Sequence, residues 1–475
     1  MPRPVILIAV ALLTAVPLEA QTPALTPHQQ LARGVYRELV EINTADSVGS
    51  VTKAARAVAA RFLAAGFPAR DVQVLIPNGK PTKGNLVVRY HGRPGSSLKP
   101  LLLLAHIDVV AANRSDWPRD PFTLHEENGF FLGRGTSDDK AMASIFVANL
   151  LRMKKVGFVP GRDIVLALTA DEEGGDANGV EWLIANHKPL IDAAYAINEG
   201  GGGTLSADGK PLFHSIQAAE KVPANFTLTA TNRGGHSSVP RPDNAIYALA
   251  AALTRIAQSP FPVALNAVTR VFFSQTAKVE PRAGLAAAMR ALTANPNDAE
   301  AASVISREPE FNSMLRTTCV ATRLSGGHAY NALPQTATAN INCRIVPTSS
   351  ADVTIAELKR IIADTTIRIT WTVPSTEKFG VAPSTIPTDL LAGTTELTNK
   401  MFGGVPVIPT MSTGATDGRF LRAAGIPTYG VSGLFSITGE TNAHGRDEKL
   451  RVSSYYQGLE FLDSLVRRLA GGVEK

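Results

Sequence analysis

Cysteine is nearly absent: Cys319 and Cys343 are the only two in 475 residues. That excludes a small fold stapled by disulfides in place of a core. Charge is sparse as well, at 19% of residues with a net of +6, and the lysines and arginines are dispersed without blocks. The basic stripe of a nucleic-acid-binding protein is missing, so no nucleic-acid partner is expected. Past the N-terminus no apolar run reaches the ~18 residues that a membrane span needs. What remains is a chain with 44% hydrophobic residues. It is long enough for a large core and for two or three domains at about 150 residues each.

Residues 1–20 differ from the rest. A basic MPR start, the apolar PVILIAVALLTAVP and a Leu18-Glu19-Ala20 exit have the layout of a secretory signal peptide. They predict export, periplasmic or secreted, of a mature chain that starts near Gln21 and has no membrane span. Cleavage removes Arg3 and Glu19 together and leaves the net charge unchanged. Export makes one disulfide feasible. Cys319 and Cys343 each lie twelve residues from Asn331, the centre of a hairpin turn read over Tyr330 to Leu333. Pairing in that register sets them face to face; two buried free thiols are the other outcome the residues allow.

Amphipathic patterning over 27–65 predicts helices, the last closing at Gly66. DVQVLI, NLVVRY, PLLLLA, DIVLALTA, AAYAIN and IPTYGVSG then read as strands, several separated by helical stretches such as AMASIFVANLLRMKKVG. This alternation specifies an α/β layered domain with a mostly parallel sheet. From Glu220 the order becomes β-α-β-β-α-β once an Ala-rich insertion at about 261–312 is set aside, the arrangement of a ferredoxin-like α+β domain. The expected division is a signal peptide (1–20), a catalytic domain in two parts (21–219 and 377–475) and a lid domain (220–376) that carries the insertion.

Three of the strand-like runs end alike. Leu101 to Ala105 is followed by His106, Ile164 to Ala170 by Asp171, Glu172 and Glu173, and Ala193 to Asn198 by Glu199. Ligands of open α/β sheets bind outside the carboxyl ends of the strands, so these endings describe one convergent site. Imidazole and carboxylate are ligands for borderline divalent metals, and His106, Asp138, Glu173, Glu199 and His444 supply five. Two ions need one bridging carboxylate, with the other four ligands divided two and two. A pair about 3.5 to 4 Å apart can share a hydroxide nucleophile and polarise the carbonyl it attacks, which is hydrolytic chemistry. Asp108 is spaced to accept the second N–H of His106 and aim the ring. Glu172, beside Glu173, is placed to take a proton from water and return it to a leaving amine.

The motifs AHIDVV, GRGTSDDKA, ADEEGG, NEGGG, GGHSSVP, NALPQ, STGATDG and NAHGRDE occur in the order of the M20 metallopeptidases. The chain resembles that family over nearly its whole mature length. It is most similar to the carboxypeptidase S and PM20D1-like branch, through AHIDVV with Trp117, Pro118, Asp120, Pro121 and Phe122 downstream and through the long insertion, read as part of the lid. The resemblance implies a zinc-exopeptidase-like α/β catalytic domain, a ferredoxin-like lid through which two copies can pair, and two Zn2+ ions, with Co2+ or Mn2+ as substitutes. It implies that Asp138 bridges, that His106 and Glu199 complete one ion and Glu173 and His444 the other, and that Glu172 is the general base and acid. It also implies a cis Asp138–Asp139 peptide. Substrate-binding roles follow for His236 as an oxyanion donor, for Asn331, and for Arg344 with its bidentate grip on a terminal carboxylate. Gly414 and Thr416 become backbone and hydroxyl donors to that carboxylate.

The expected substrates are small peptides cut at the C-terminus, or N-acyl amino acids. Long-chain N-acyl amino acids are a variant that the apolar VTRVFF and GLAAAMRAL of the insertion would suit. A non-catalytic binding protein on the same fold should have lost a ligand or Glu172, and all six positions are competent. Against a two-metal phosphohydrolase stand His236, Asn331 and Arg344, which fit a substrate that carries a carboxylate.

Overall fold

Leu101–His106 has no polar side chain before its last residue and is buried throughout. Leu101, Leu103 and Ala105 lie in one core and Leu102 and Leu104 in another. A strand covered on both faces must be apolar at every position, which is why this run shows no alternation. It is a middle strand of a ten-stranded mixed sheet. Ile164–Thr169 and Tyr195–Asn198 flank it in parallel, and Thr428–Gly430 lies parallel to the latter. Asn85–Tyr90 runs antiparallel to Ile164–Thr169, with Val72–Leu75 at the rim. The computed structural model describes residues 24–372 and 381–474, so the expected signal peptide and the domain boundary at 376 fall outside the described residues.

Helices Pro27–Glu41, Val51–Ala64, Lys140–Lys155 and Val452–Ala470 cover one face of this sheet, and Gly179–Ile191 and Gly418–Ala423 the other. The first opens on a capping box between Thr26 and Gln29 with Pro27 at its start, so its free N–H groups are met locally. Among the described residues no helix is long and apolar enough to cross a membrane.

A second sheet, antiparallel throughout, orders its strands Thr318–Gly326, Thr336–Ile345, Val222–Thr231 and Arg368–Trp371. Helices Ala245–Gln258 and Ala351–Ile362 pack on it around Phe226, Leu249, Ile341 and Leu358. Cys319 and Cys343 are register partners and form a disulfide, so the bridged outcome is the one found.

The insertion, read from the sequence as part of the lid span, packs against a strand of the large sheet. Its helices Ala267–Val279, Ala283–Ala294, Ala299–Ile305 and Pro309–Leu315 gather Phe272, Phe273, Met289 and Leu292 around Ile408. Ile408 belongs to Val407–Ser412, which pairs in parallel with Pro211–Glu220 of the large sheet. The VTRVFF and GLAAAMRAL stretches bury their apolar faces against that strand and against one another, and the large sheet is their support.

Candidate functional site

The three strands with ionisable endings are adjacent and parallel, so their carboxyl ends open at one edge. His106 ends the middle strand, Glu172 and Glu173 follow Ile164–Thr169 closely, and Glu199 directly follows Tyr195–Asn198. Asp138 comes from the turn before Lys140–Lys155, ahead of a cis Asp138–Asp139 peptide, and His444 from the loop before Lys449–Arg451. Asp138 faces both ways. Its Oδ1 is 2.9 Å from His106 Nε2 and its Oδ2 is 3.1 Å from His444 Nε2. Glu199 Oε1 lies 3.9 Å from His106 Nε2, and Glu173 Oε2 lies 2.9 Å from His444 Nε2. The five side chains converge on Asp138, with ligand atoms of His106, Asp138 and Glu173 within 4.8 Å of one another. Glu172 adjoins them, with ligand atoms of His106, Glu172 and Glu199 within 4.8 Å of one another.

Among the described residues the carboxyls of Asp138, Asp139, Glu172, Glu173 and Glu199 outnumber the cationic partners that face them, the imidazoles of His106 and His444 and the Arg419 guanidinium beside Glu172. Burial raises Glu199 well above its ordinary value, and the Asp138, Asp139 and Glu172 charges add to the rise against the pull of His106. Burial likewise lifts Glu172 to about 8, with Asp417 and Glu173 reinforcing and His106 and Arg419 opposing. For His106, burial works downward, but hydrogen bonds to Asp108 and Asp138 and the Glu199 charge carry it well above its usual range. Hydrogen bonds to Asp138 and Glu173 lift His444 to about 10. Asp139 Oδ2 is buried without a partner. Buried carboxyls with too few cations, and imidazoles drawn onto them, have the deficit that divalent metal ions fill. The donor set of imidazole and carboxylate fits such ions.

Asp108 does more than aim the ring. Its backbone carbonyl is 3.2 Å and its carboxylate 3.5 Å from His106 Nδ1. The same carboxylate accepts the backbone N–H groups of Glu172 and Glu173 at 3.2 and 3.0 Å. The loop is tied from behind by Asp171, whose φ is +57°. Asp171 pairs with buried Lys83 at 2.5 Å and accepts Ala177 N–H at 3.2 Å.

Sequence reasoning missed Asp417, Arg419, Arg134 and Glu448. Asp417 is buried, accepts from Thr169 and Asn178, and stands near Glu172, while Arg419 lies 4.0 Å from the Glu172 carboxylate. Glu448 accepts from Gly135 N (3.1 Å), Ser137 N (2.8 Å), Ser137 Oγ (3.0 Å), Asp138 N (3.1 Å) and Arg134 (2.7 Å). Arg134 also donates to His444 O at 3.1 Å. One buried pair thus joins the Asp138 turn to the His444 loop. The only signal in the sequence is position, since Glu448 lies within NAHGRDE and Arg134 within GRGTSDD.

The substrate-side residues are placed differently. Gly235–His236 pairs with Ala332–Leu333, and Ser237 N–H donates to Asn331 O at 2.9 Å, so His236 and Asn331 share one ribbon, both exposed. His236 Nδ1 meets the N–H and hydroxyl of Ser238 at 3.1 and 2.7 Å. Arg344 is half-buried, opposite Thr318 and Pro223, with the buried Lys221 close by. Gly414 donates its N–H to Ser412 Oγ at 3.2 Å. Thr416, expected to offer its hydroxyl to a substrate, is buried; that oxygen accepts from Asn198 and Gly418 N–H, and its own N–H donates to Glu220. The structure brings the five candidate ligands, Asp108 and Glu172 together and leaves His236 and Asn331 as a separate group.

Residues 102–468 match the model of peptidase family M20/M25/M40. N-fatty-acyl-amino acid synthase/hydrolase PM20D1 of Homo sapiens is 30% identical over 389 residues, covering 78% of this chain and 74% of the relative. Probable carboxypeptidase S-like 2 of Dictyostelium discoideum is 30% identical over 383 residues, covering 78% and 72%. Among solved structures, the M20 family metallo-carboxypeptidase Sso-CP2 from Sulfolobus solfataricus aligns with a TM-score of 0.66 over 92% of this chain and 99% of that one. At 18% identity that likeness speaks for the fold. Taken with the family match across most of the sequence, these similarities establish that the chain is a hydrolase and belongs to peptidase family M20/M25/M40, on its carboxypeptidase S and PM20D1 branch.

Proposed function

We propose that the protein is an exported, dinuclear zinc hydrolase that releases an amino acid from the C-terminus of a peptide or from an N-acyl amino acid. The observation that carries this is Asp138, whose two carboxylate oxygens address His106 and His444 separately. His106, Asp138 and Glu199 would hold one ion and His444, Asp138 and Glu173 the other; bound there, the pair would activate water and polarise the scissile carbonyl. Glu172 takes a proton from the attacking water and delivers it to the leaving amine. Asp108 holds the His106 ring and the Glu172 backbone in one frame, so base and ligand keep their separation. In the lid, proposed to span 220–376 apart from the insertion at about 261–312, His236 donates to the carbonyl oxygen as it gains charge while Asn331 and Arg344 hold the substrate. The Gly414–Thr416 segment closes the carboxylate end.

Export is supported by the signal-like residues 1–20 and by the Cys319–Cys343 disulfide, a bond that persists in oxidising compartments. A homodimer through the lid is supported by Thr318–Gly326, which among the described residues is an edge strand of its sheet with Val320 and Leu324 exposed. A second reading, hydrolysis of long-chain N-acyl amino acids, is favoured by the similarity to human PM20D1. The test is zinc content and turnover of the purified protein on dipeptides and N-acyl amino acids. Glu172→Gln should keep two zinc ions per chain and lose about 10²- to 10⁴-fold in kcat. Unchanged turnover in that variant, or a chain that retains no metal, overturns the reading.

A further inference from the structure

A cavity of about 410 Å³ opens against Asp138, Asp139 and Glu199, and neither Glu172 nor any residue of 412–419 lines it. Gly203–Leu205 and Phe435–Ile437 are parallel neighbours whose register sets Thr204 beside Ser436 on one face. Thr441, from the segment leading to His444, adds a third hydroxyl to the lining. Among the described residues the hydroxyls of Thr204, Ser436 and Thr441 make no hydrogen bond. Those of Ser137, Ser215 and Ser432, in the same lining, are spent on Glu448, Gly202 O and Gly201 O. The glycine run beside Glu199 serves packing: a Cβ on Gly201 would lie 2.0 Å from Gly430 O, and one on Gly203 would lie 2.0 Å from the Phe435 ring.

Which half of the substrate this cavity meets follows from Glu172. The leaving amine must lie beside the group that protonates it, and Glu172 is flanked by Asp417 and Arg419. The acyl half lies across the scissile carbon, toward the wall that Glu172 does not line. Resting on the hydrolase reading above, we infer that this cavity is the acyl subsite and that Thr204, Ser436 and Thr441 select an aminoacyl or peptidyl group over a saturated fatty-acyl chain. A peptidyl group brings amine, carbonyl and amide partners to the three hydroxyls. A hydrocarbon chain displaces their water and replaces it with nothing. A site built to bond a polar group rejects an analogue lacking it far more strongly than an apolar pocket counts methylenes. Met142, Leu434 and Leu450 also line the cavity, so the selection rests on the three hydroxyls, while the apolar VTRVFF and GLAAAMRAL stretches are committed to the helical cluster around Ile408.

The experiment compares kcat/KM of the zinc-loaded full chain on alanyl-phenylalanine, N-acetyl-phenylalanine and N-lauroyl-phenylalanine, which share one leaving amino acid. Alanyl-phenylalanine should exceed the lauroyl substrate by at least about tenfold, and Thr204→Val combined with Ser436→Ala should close that ratio by about tenfold. A wild-type preference for the lauroyl chain, or a ratio that the double variant does not move, overturns the inference and leaves the hydrolase reading standing. Hydrolysis of none of the three overturns both. If the double variant fails to fold, the wild-type ranking decides alone.

Discussion

At the carboxyl edge of the large sheet the candidate ligands are fixed by buried partners, whereas the ribbon that bears His236 and Asn331 is held by exposed hydrogen bonds within its own turns. The contrast has a physical cause. Five carboxyls do not gather around fewer cationic groups unless the backbone holds them there before any ion arrives, so Asp108, Glu448 and Lys83 supply that preorganisation. A residue that touches only the substrate needs no such bed, and it gains from being free to approach after binding.

The comparison breaks most directly at Glu448. Glu448→Gln removes the charge that five donors share and leaves Arg134, only 3% exposed, as an unpaired buried cation. Losing one partner of a buried pair costs roughly 3–5 kcal/mol. Disturbing a support behind a metal ligand also weakens metal binding by about 10- to 100-fold, and here the ion on the His444 side should go first. Thermal unfolding with metal analysis after dialysis reads both, and wild-type values in both would show that the bed does not depend on Glu448. His236→Ala is the opposite manipulation. It should lower kcat/KM by about 10²- to 10³-fold, as expected for an oxyanion donor, while zinc content and unfolding stay at wild-type values. Full activity in that variant would leave the ribbon outside the chemistry.

The same contrast governs what the sequence discloses. His106, Glu173 and Glu199 are legible because apolar runs stop at them and an α/β sheet sends such ends to one edge. Asp138 and His444 end no such run; residue type made them candidates, and the ordered motifs of a family gave them their roles. Arg134 and Glu448 lie 314 residues apart, and nothing local marks either as the other's partner. The insertion's apolar stretches are plain in the sequence, but an apolar stretch does not name the surface it will cover, and the one covered centres on Ile408, far along the chain. The disulfide was legible as one of two outcomes, because spacing sets register and leaves oxidation open. For His236 and Arg344 residue type was informative and position was not, since the approach of one domain to another leaves no periodicity in either.

Acid should separate the two regions a third way, through His214. This imidazole, carried by Pro211–Glu220 of the large sheet, is buried among Phe402, Phe435 and Phe461, with Nε2 2.5 Å from Ser432 O and Nδ1 2.8 Å from the Thr398 hydroxyl. Burial drives it down from 6.5 to about 4, against the smaller upward pull of the Ser432 carbonyl. The small domain's His236 and His328 are exposed. Between those two pH values the unfolded chain binds a proton at His214 that the folded chain refuses, so stability rises with pH across the window. The contribution is complete above the unfolded value and disappears as pH falls through the folded one, a span worth up to roughly 3 kcal/mol. Urea unfolding of wild type and His214→Gln at about pH 7.5 and about pH 4.5 isolates this group from the other carboxyls that titrate in the same range. The stability advantage of wild type over the variant should shrink by most of that amount at the lower pH, and the signal lost first should come from the large domain. An advantage equal at both values would mean that the folded core accommodates the imidazolium, and that the rigidity which organises the candidate ligands does not extend to this part of the sheet.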